Sequence, residues 1–246
     1  MSTAVPAEWQ TESLRLTAFP VDPSDATKAL HWQPLISTPA EAMQRPPQTQ
    51  QVIEEGPWNN ARLQVVGQPG QVHWRTFSLI ASPEGPNLLG PFASAVPPFR
   101  ALMTRWLTQV SFPVNRIAFG ANVLLSASSL PVACRSLDGM LPSVKIDRNG
   151  TRDFMYRINR RRGSVHDSSL QINRLATWSV IQSIGLEVVI GAGVAPATRQ
   201  LPGKHFCRLE LDVNTVPREL RRKTLSAIFD ELVDAAIEIA EQGDVP

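Results

Sequence analysis

Three consecutive arginines, Arg160, Arg161 and Arg162, stand between two strand-like runs at 153–158 and 170–175. Gly163 and Ser164 follow them directly, so the segment reads as a hairpin with a basic tip. Crowded guanidiniums repel one another unless an anion or an acidic surface meets them, and their planar forks suit phosphate and carboxylate. The chemistry implied is binding. Arg157 and Arg174 lie on the flanking runs as support, and Tyr156 and Trp178 offer stacking faces of the kind single-stranded nucleic acid needs. Residues 145–174 hold eight basic side chains against three acids, a local charge of +5 in a chain whose total is +2. Uniform coating of nucleic acid is therefore disfavoured, and anion binding must be local. A second basic cluster, Arg218, Arg221, Arg222 and Lys223, falls at the expected start of the last helix. Cations there oppose the helix dipole, relieved in part by Glu219 and Lys223 at i,i+4, and a placement against local preference points again to binding.

Other candidate chemistries fail on spacing. Residues 187–190 and the glycine loop 191–196 mimic a strand entering a dinucleotide site, with Glu210 and Asp212 downstream. That chemistry needs a helix N-terminus on the pyrophosphate, and Pro196 and Pro202 bracket too few residues for one. His166-Asp167 resembles part of a phosphohydrolase metal set, but His31, His73 and His205 are not at ligand spacing. Ser164, Ser168 and Ser169 near His166 lack a nucleophile elbow and read as turn serines. Cys134 and Cys207 are in no CxxC pair, so neither a disulfide framework nor a thiolate zinc site is expected. No cofactor and no metal are expected.

The elements that position the arginines follow from periodicity. A strand at 13–19 precedes a proline-dense stretch, 20–57, that suits neither long helices nor central strands. Trp32, Leu35, Ile36 and Trp58 within it favour wrapping on a core over a wet linker. Runs at 61–66 and 72–77 flank Gly67-Gln68-Pro69-Gly70 as a hairpin. A helix is expected from Pro97 and Pro98, with Phe99, Leu102, Met103, Trp106, Leu107 and Val110 on one face. Ile117, Phe119, Ala121, Val123 and Leu125 alternate as a strand, and Gly120 in its middle suggests a bulge or a close approach. A short helix is expected around 132–137, and the run 177–190 is also strand-like. Cys207, Leu209, Leu211 and Val213 make the cleanest alternation. A final amphipathic helix is expected over 217–242, capped by Asn214 or Thr215 and ended by Gly243.

The order predicts an α+β fold, a mostly antiparallel sheet with two principal helices, and its recurrence suggests two related halves. Residues 1–60 would form a strand and a wrapping segment, and 61–246 the core, divisible at 142. Hydrophobic residues make up 43% of the chain, enough for that core. No basic, apolar leader opens the chain and no apolar run reaches the ~20 residues of a membrane span, so a cytoplasmic protein away from membranes is expected.

The segments Glu54-Glu55-Gly56-Pro57-Trp58, His73-Trp74-Arg75, 116–122 and 209–215 resemble a sporadically distributed, uncharacterised bacterial family of about this length. The resemblance spans 50–242 and implies no activity. The expected function is a non-catalytic binding or accessory subunit of a bacterial assembly, contacting an acidic protein or a nucleic-acid surface through the basic hairpin. The alternatives are an RNA- or DNA-binding protein and an enzyme of unrecognised type.

Overall fold

The computed structural model describes residues 8–28, 31–79, 85–147, 151, 153–184, 186–189, 197–200 and 203–244. The elements run β1 (Gln10–Pro20), a one-turn α1 (Asp25–Lys28), β2 (Ala42–Gln44), β3 (Val52–Trp58), β4 (Ala61–Gln68), β5 (Gln71–Phe77), β6 (Gly90–Pro91), α2 (Phe92–Gln109) and β7 (Val114–Ala127). They continue with α3 (Leu130–Met140), β8 (Met155–Asn159), β9 (Arg162–Gly163), β10 (Gln171–Ser183), β11 (Leu186–Val189), β12 (Ala197–Gln200), β13 (Lys204–Thr215), a 3₁₀ turn at Arg222–Thr224 and α4 (Leu225–Gln242). The fold is mixed α+β. One 11-stranded antiparallel sheet follows the order β2-β3-β4-β5-β1-β7-β13-β10-β8, with β6 beside β1 and β9 beside β10. The expectation of two principal helices is corrected by α3, whose eleven residues bury Ala133, Cys134 and Leu137.

Strand alternation sorts the sheet into two faces. Leu14, Leu16, Val72, Trp74, Ile117, Phe119, Leu209, Leu211 and Val213 point to one side and are fully or nearly fully buried. The helices α2, α3 and α4 pack on that side. Ser13, Arg15, Thr17, His73, Arg75, Gly120 and Asp212 alternate with them and face the other way, where no long helix covers them.

Proline and glycine chemistry explains where the elements differ from their predicted bounds. The helix expected to open at Pro97 begins five residues earlier, at Phe92, because Phe92 and Val96 extend the same apolar face into the core. Pro97 and Pro98 sit in its second turn and each withholds an amide there. The helix expected from 217 begins at Leu225. Before it, the chain pairs with β7 instead: Arg218 N donates to Asn115 O and Leu220 N to Val114 O, both at 2.8 Å, and Leu220 is buried. Neither expected cap serves α4. Asn214 bonds Asp212, Thr215 Oγ1 accepts from Ile117 N at 3.2 Å, and the residue at the cap position, Thr224, makes no capping bond. Gly243 does end the helix, with φ 77°. The β4–β5 turn is just Pro69-Gly70, with Gly70 at the positive φ of 86° that follows a turn proline.

The stretch between β1 and β3 lies on the core. Trp32 is 1% exposed, stacks on Trp74 at 6.3 Å and donates from Nε1 to Thr38 O at 2.8 Å. Its backbone and that of His31 donate to buried Glu54 Oε2. Trp32 presses so closely on Gly56 that a Cβ there would stand 2.8 Å from the indole.

Candidate anion-binding face

The expected hairpin forms, with β8 antiparallel to β10. The arginines, however, are not at its tip. Arg162 pairs across from Ile172 in the β9–β10 ladder, and the turn itself is residues 164–170. Strand alternation then divides the knot. Arg160 and Arg162 turn to the helix side. Arg160 Nε bonds Asp244 Oδ1 at 2.6 Å, and that carboxylate, 2% exposed, also accepts from Ser143 and Tyr156. Arg162 forms a two-pronged pair with Glu238, both bonds 2.9 Å, and buried Arg174 reaches the same carboxylate at 3.1 Å. The tip serine, Ser164, and the Val165 amide both donate to Glu231. The hairpin is thus stapled to α4 and the residues that end it. Arg157 and Arg161 instead face the open side of the sheet, where Arg161 Nε donates to Asn173 Oδ1 at 3.0 Å.

These pairs carry a pH prediction. Arg160 first of all holds the Asp244 carboxyl below its usual range, and Arg162 does the same to Glu238. A carboxyl depressed in the folded state adds stability that is full above its unfolded pKa and is lost as pH falls through the folded value. Unfolding free energy from urea titration should therefore decline below about pH 4. An Asp244→Asn variant, whose amide does not titrate, should show a shallower decline. Parallel curves would mean the pair contributes nothing to acid sensitivity.

Tyr156 and Trp178 both lie on the helix side of the sheet. Trp178 is fully buried on the helix side, and Tyr156 packs against the core with its hydroxyl on Asp244. The second basic cluster lies before α4, not within it. Arg218 donates to Ser169 Oγ across the hairpin turn, Arg221 stands at the cap position of the 3₁₀ turn and Arg222 begins it. Glu219 and Lys223 share no helix. The glycine loop at 191–196 and Arg148, Arg152 and Pro202 lie outside the described residues. The chain beyond that loop, β12, pairs antiparallel with β11. Among the described residues, no three His, Cys, Asp or Glu side chains group as a metal site, and no helix is long and apolar enough to cross a membrane. Cys134 and Cys207 are free, buried thiols, and burial pushes Cys207 up to about 12.

A concentration of charge without ion-pair partners lies on the open face. One row across the sheet reads Gln64, Arg75, Arg15, Gly120, Asp212 on β4, β5, β1, β7 and β13. The next reads Val66, His73, Thr17, Ala118, Asn214. Arg116 lies one row further, opposite Phe19. Of these, Arg15, Thr17, His73, Arg75, Arg116 and Asp212 line a depression of about 440 Å³. Arg15 and Arg75 are direct cross-strand partners, an arrangement that costs stability for like charges. The Arg15 guanidinium lies over Gly120, where a Cβ would stand 3.0 Å from Nη2 and 3.1 Å from Nε. The glycine inside β7 is therefore the close approach that its position suggested.

Several arginines elsewhere find acids. Arg62 pairs Glu41 and Glu55, Arg100 pairs Asp230 and Asp234, and Arg208 pairs Glu12 and Glu210. Among the described residues, no carboxylate lies within ion-pair distance of Arg15, Arg75 or Arg116. Arg75 and Arg116 rest instead on the rings of Phe77 and Phe19, at 5.1 and 5.0 Å. Burial, then Arg15 and Arg75, lower His73 to about 4, so the imidazole between them is neutral at physiological pH. At the opposite end of this face Leu124 and Phe206 are buried, so the basic depression is a local feature.

The chain matches no family model, no curated protein and no solved structure. The functional reading therefore rests on the geometry of this face.

Proposed function

We propose that the protein is a non-catalytic binding subunit of a cytoplasmic assembly that holds an acidic segment of a protein partner on the open face of its sheet. The observation that carries this reading is the cross-strand pairing of Arg15 with Arg75, two cations on adjacent strands with no acid within ion-pair distance among the described residues. Folding gains nothing from that arrangement, and an anion removes its cost. Arg157 and Arg161, from the basic hairpin, extend the same face toward its far edge. A carboxylate-rich polypeptide fits better than single-stranded nucleic acid. The two rings beside the depression, Phe19 and Phe77, are already covered by guanidiniums, and Tyr156 and Trp178 are turned to the helix side. Base stacking has no free platform there.

The strand order supports the idea of two related halves. Reading outward from the β1–β7 pair, β5, β4, β3 on one side match β13, β10, β8 on the other, and α2 and α4 close the two sequences. This division falls before β7 and not at 142, and it puts the depression at the junction, with Arg15 of β1 over Gly120 of β7.

An Arg15→Ala/Arg75→Ala double variant tests the assignment. Both side chains are exposed, so its melting temperature should stay near that of the wild type. Its affinity for a polyglutamate peptide at low salt should fall at least about tenfold, because two charge-assisted contacts are lost. Equal affinity of variant and wild type would remove the open face from the binding function. A single-stranded oligonucleotide that outcompetes the peptide on the wild type would transfer the reading to nucleic acid.

A further inference from the structure

Among the described residues, three guanidiniums line the depression and Asp212 is its single carboxylate. Two positive charges are left over. Asp212 is also occupied, since its Oδ1 accepts from Asn214 Nδ2 at 3.1 Å. Arg116 contributes a buried Nε that has no hydrogen-bond partner. The floor stays low where Gly120 has no side chain, and the Arg15 fork lies down on it. The charged groups that act on the His73 ring are Arg15 from β1 and Arg75 from its own strand, and Arg116 from β7 and Asp212 from β13 line the same depression. The neighbour on β4 is the uncharged Val66.

The geometry points to a subsite for a doubly charged oxyanion of the phosphomonoester kind, held by Arg15, Arg75 and Arg116 and completed by a proton taken up on His73. This rests on the open face being the partner site, and it names the group that the partner presents. A phosphomonoester carries about −1.5 to −2 at neutral pH, which matches the two uncompensated charges, whereas a carboxylate covers one. Each guanidinium offers a fork of the kind that three-oxygen anions use. His73 is neutral because it is buried and flanked by cations. A dianion against the ring reverses that balance, since an opposite charge at about 4–6 Å favours the charged form by about 1–3 pKa units. The proton then gives the anion one more charged donor.

Two measurements on the full chain test this. The first compares an acidic peptide bearing a central phosphoserine with the same peptide bearing glutamate there. The phosphoserine form should bind about tenfold tighter or better at pH 7.5. The second uses sulfate, which keeps both charges from pH 5 to 7.5, so any pH dependence belongs to the protein. Sulfate should bind about tenfold tighter at pH 5 than at pH 7.5, with proton uptake. In His73→Gln that gain should vanish while binding at pH 7.5 remains. If the two peptides bind equally, the phosphomonoester assignment fails and the open-face reading stands. If neither binds, both fail. A sulfate affinity that ignores pH, or that keeps its slope in His73→Gln, takes His73 out of the subsite and overturns the proposal. Free phosphoserine that binds as tightly as the peptide supports the subsite and removes the polypeptide partner.

Discussion

Leu211→Asp should lower the unfolding free energy by about 4 kcal/mol or more, enough to leave a domain of ordinary stability largely unfolded. Leu211 is 3% exposed near the middle of β13, between Ala121 of β7 and Ala176 of β10. Helix α4 packs on all three strands. Removing a buried leucine costs about 2–5 kcal/mol, and a carboxylate in its place must be desolvated or protonated. Arg174, the buried cation on the same face of β10, is already committed to Glu238 and offers no easy rescue. The neighbouring residue supplies the contrast. Glu210 faces the open side and pairs Arg208 at 3.2 Å, so Glu210→Ala should change stability by less than about 1 kcal/mol. Urea unfolding followed by circular dichroism separates the two. A Leu211→Asp protein that melts with the wild type would show that β13 is peripheral, against its place in the sheet.

Much of this frame was legible from alternation alone. Cys207, Leu209, Leu211 and Val213 in β13, and Ile117, Phe119 and Val123 in β7, follow a period of two because one side of the sheet meets helices and the other does not. The stripes of α2 and α4 were legible for the same reason. What periodicity could not supply was competition between partners. Residues 217–224 have helix-compatible composition, but Leu220 gains more by bridging to Val114 and entering the core.

The arginine knot misled for a related reason. Its neutralising acids, Glu238 and Asp244, follow it by more than seventy residues, and a local charge count does not see them. The open-face site has the opposite problem. Arg15, His73, Arg75 and Arg116 are each unremarked polar positions in an alternating strand. Only the registers Arg15↔Arg75 and Arg15↔Gly120 bring them together. The one local hint was Gly120, a glycine in the middle of a strand, and it marked the place where an arginine crosses.

Gly243→Val should cost about 3 kcal/mol or more and untie the hairpin from α4. Gly243 ends α4 at φ 77°, ψ −154°, a region that essentially only glycine occupies. Strain there costs about 1–3 kcal/mol. A Cβ would also overlap the Met140 carbonyl oxygen at the end of α3, and it would stand 2.9 Å from the carbonyl carbon. That oxygen accepts the Asp244 amide at 2.9 Å, so any side chain at 243 displaces the bond that places Asp244. Asp244 in turn holds Arg160, Ser143 and Tyr156, and the loss therefore passes from the helix end to β8. Tyr156 is the chain's single tyrosine, which makes its ring resonances a local report on that anchor. In Gly243→Val the tyrosine signal should change together with the melting temperature. In Asp244→Asn, which leaves the backbone turn intact, it should change with a smaller loss of stability. If Gly243→Val melts like the wild type with an unchanged tyrosine signal, the turn does not position Asp244, and the arginines of the hairpin are held by Glu238 alone.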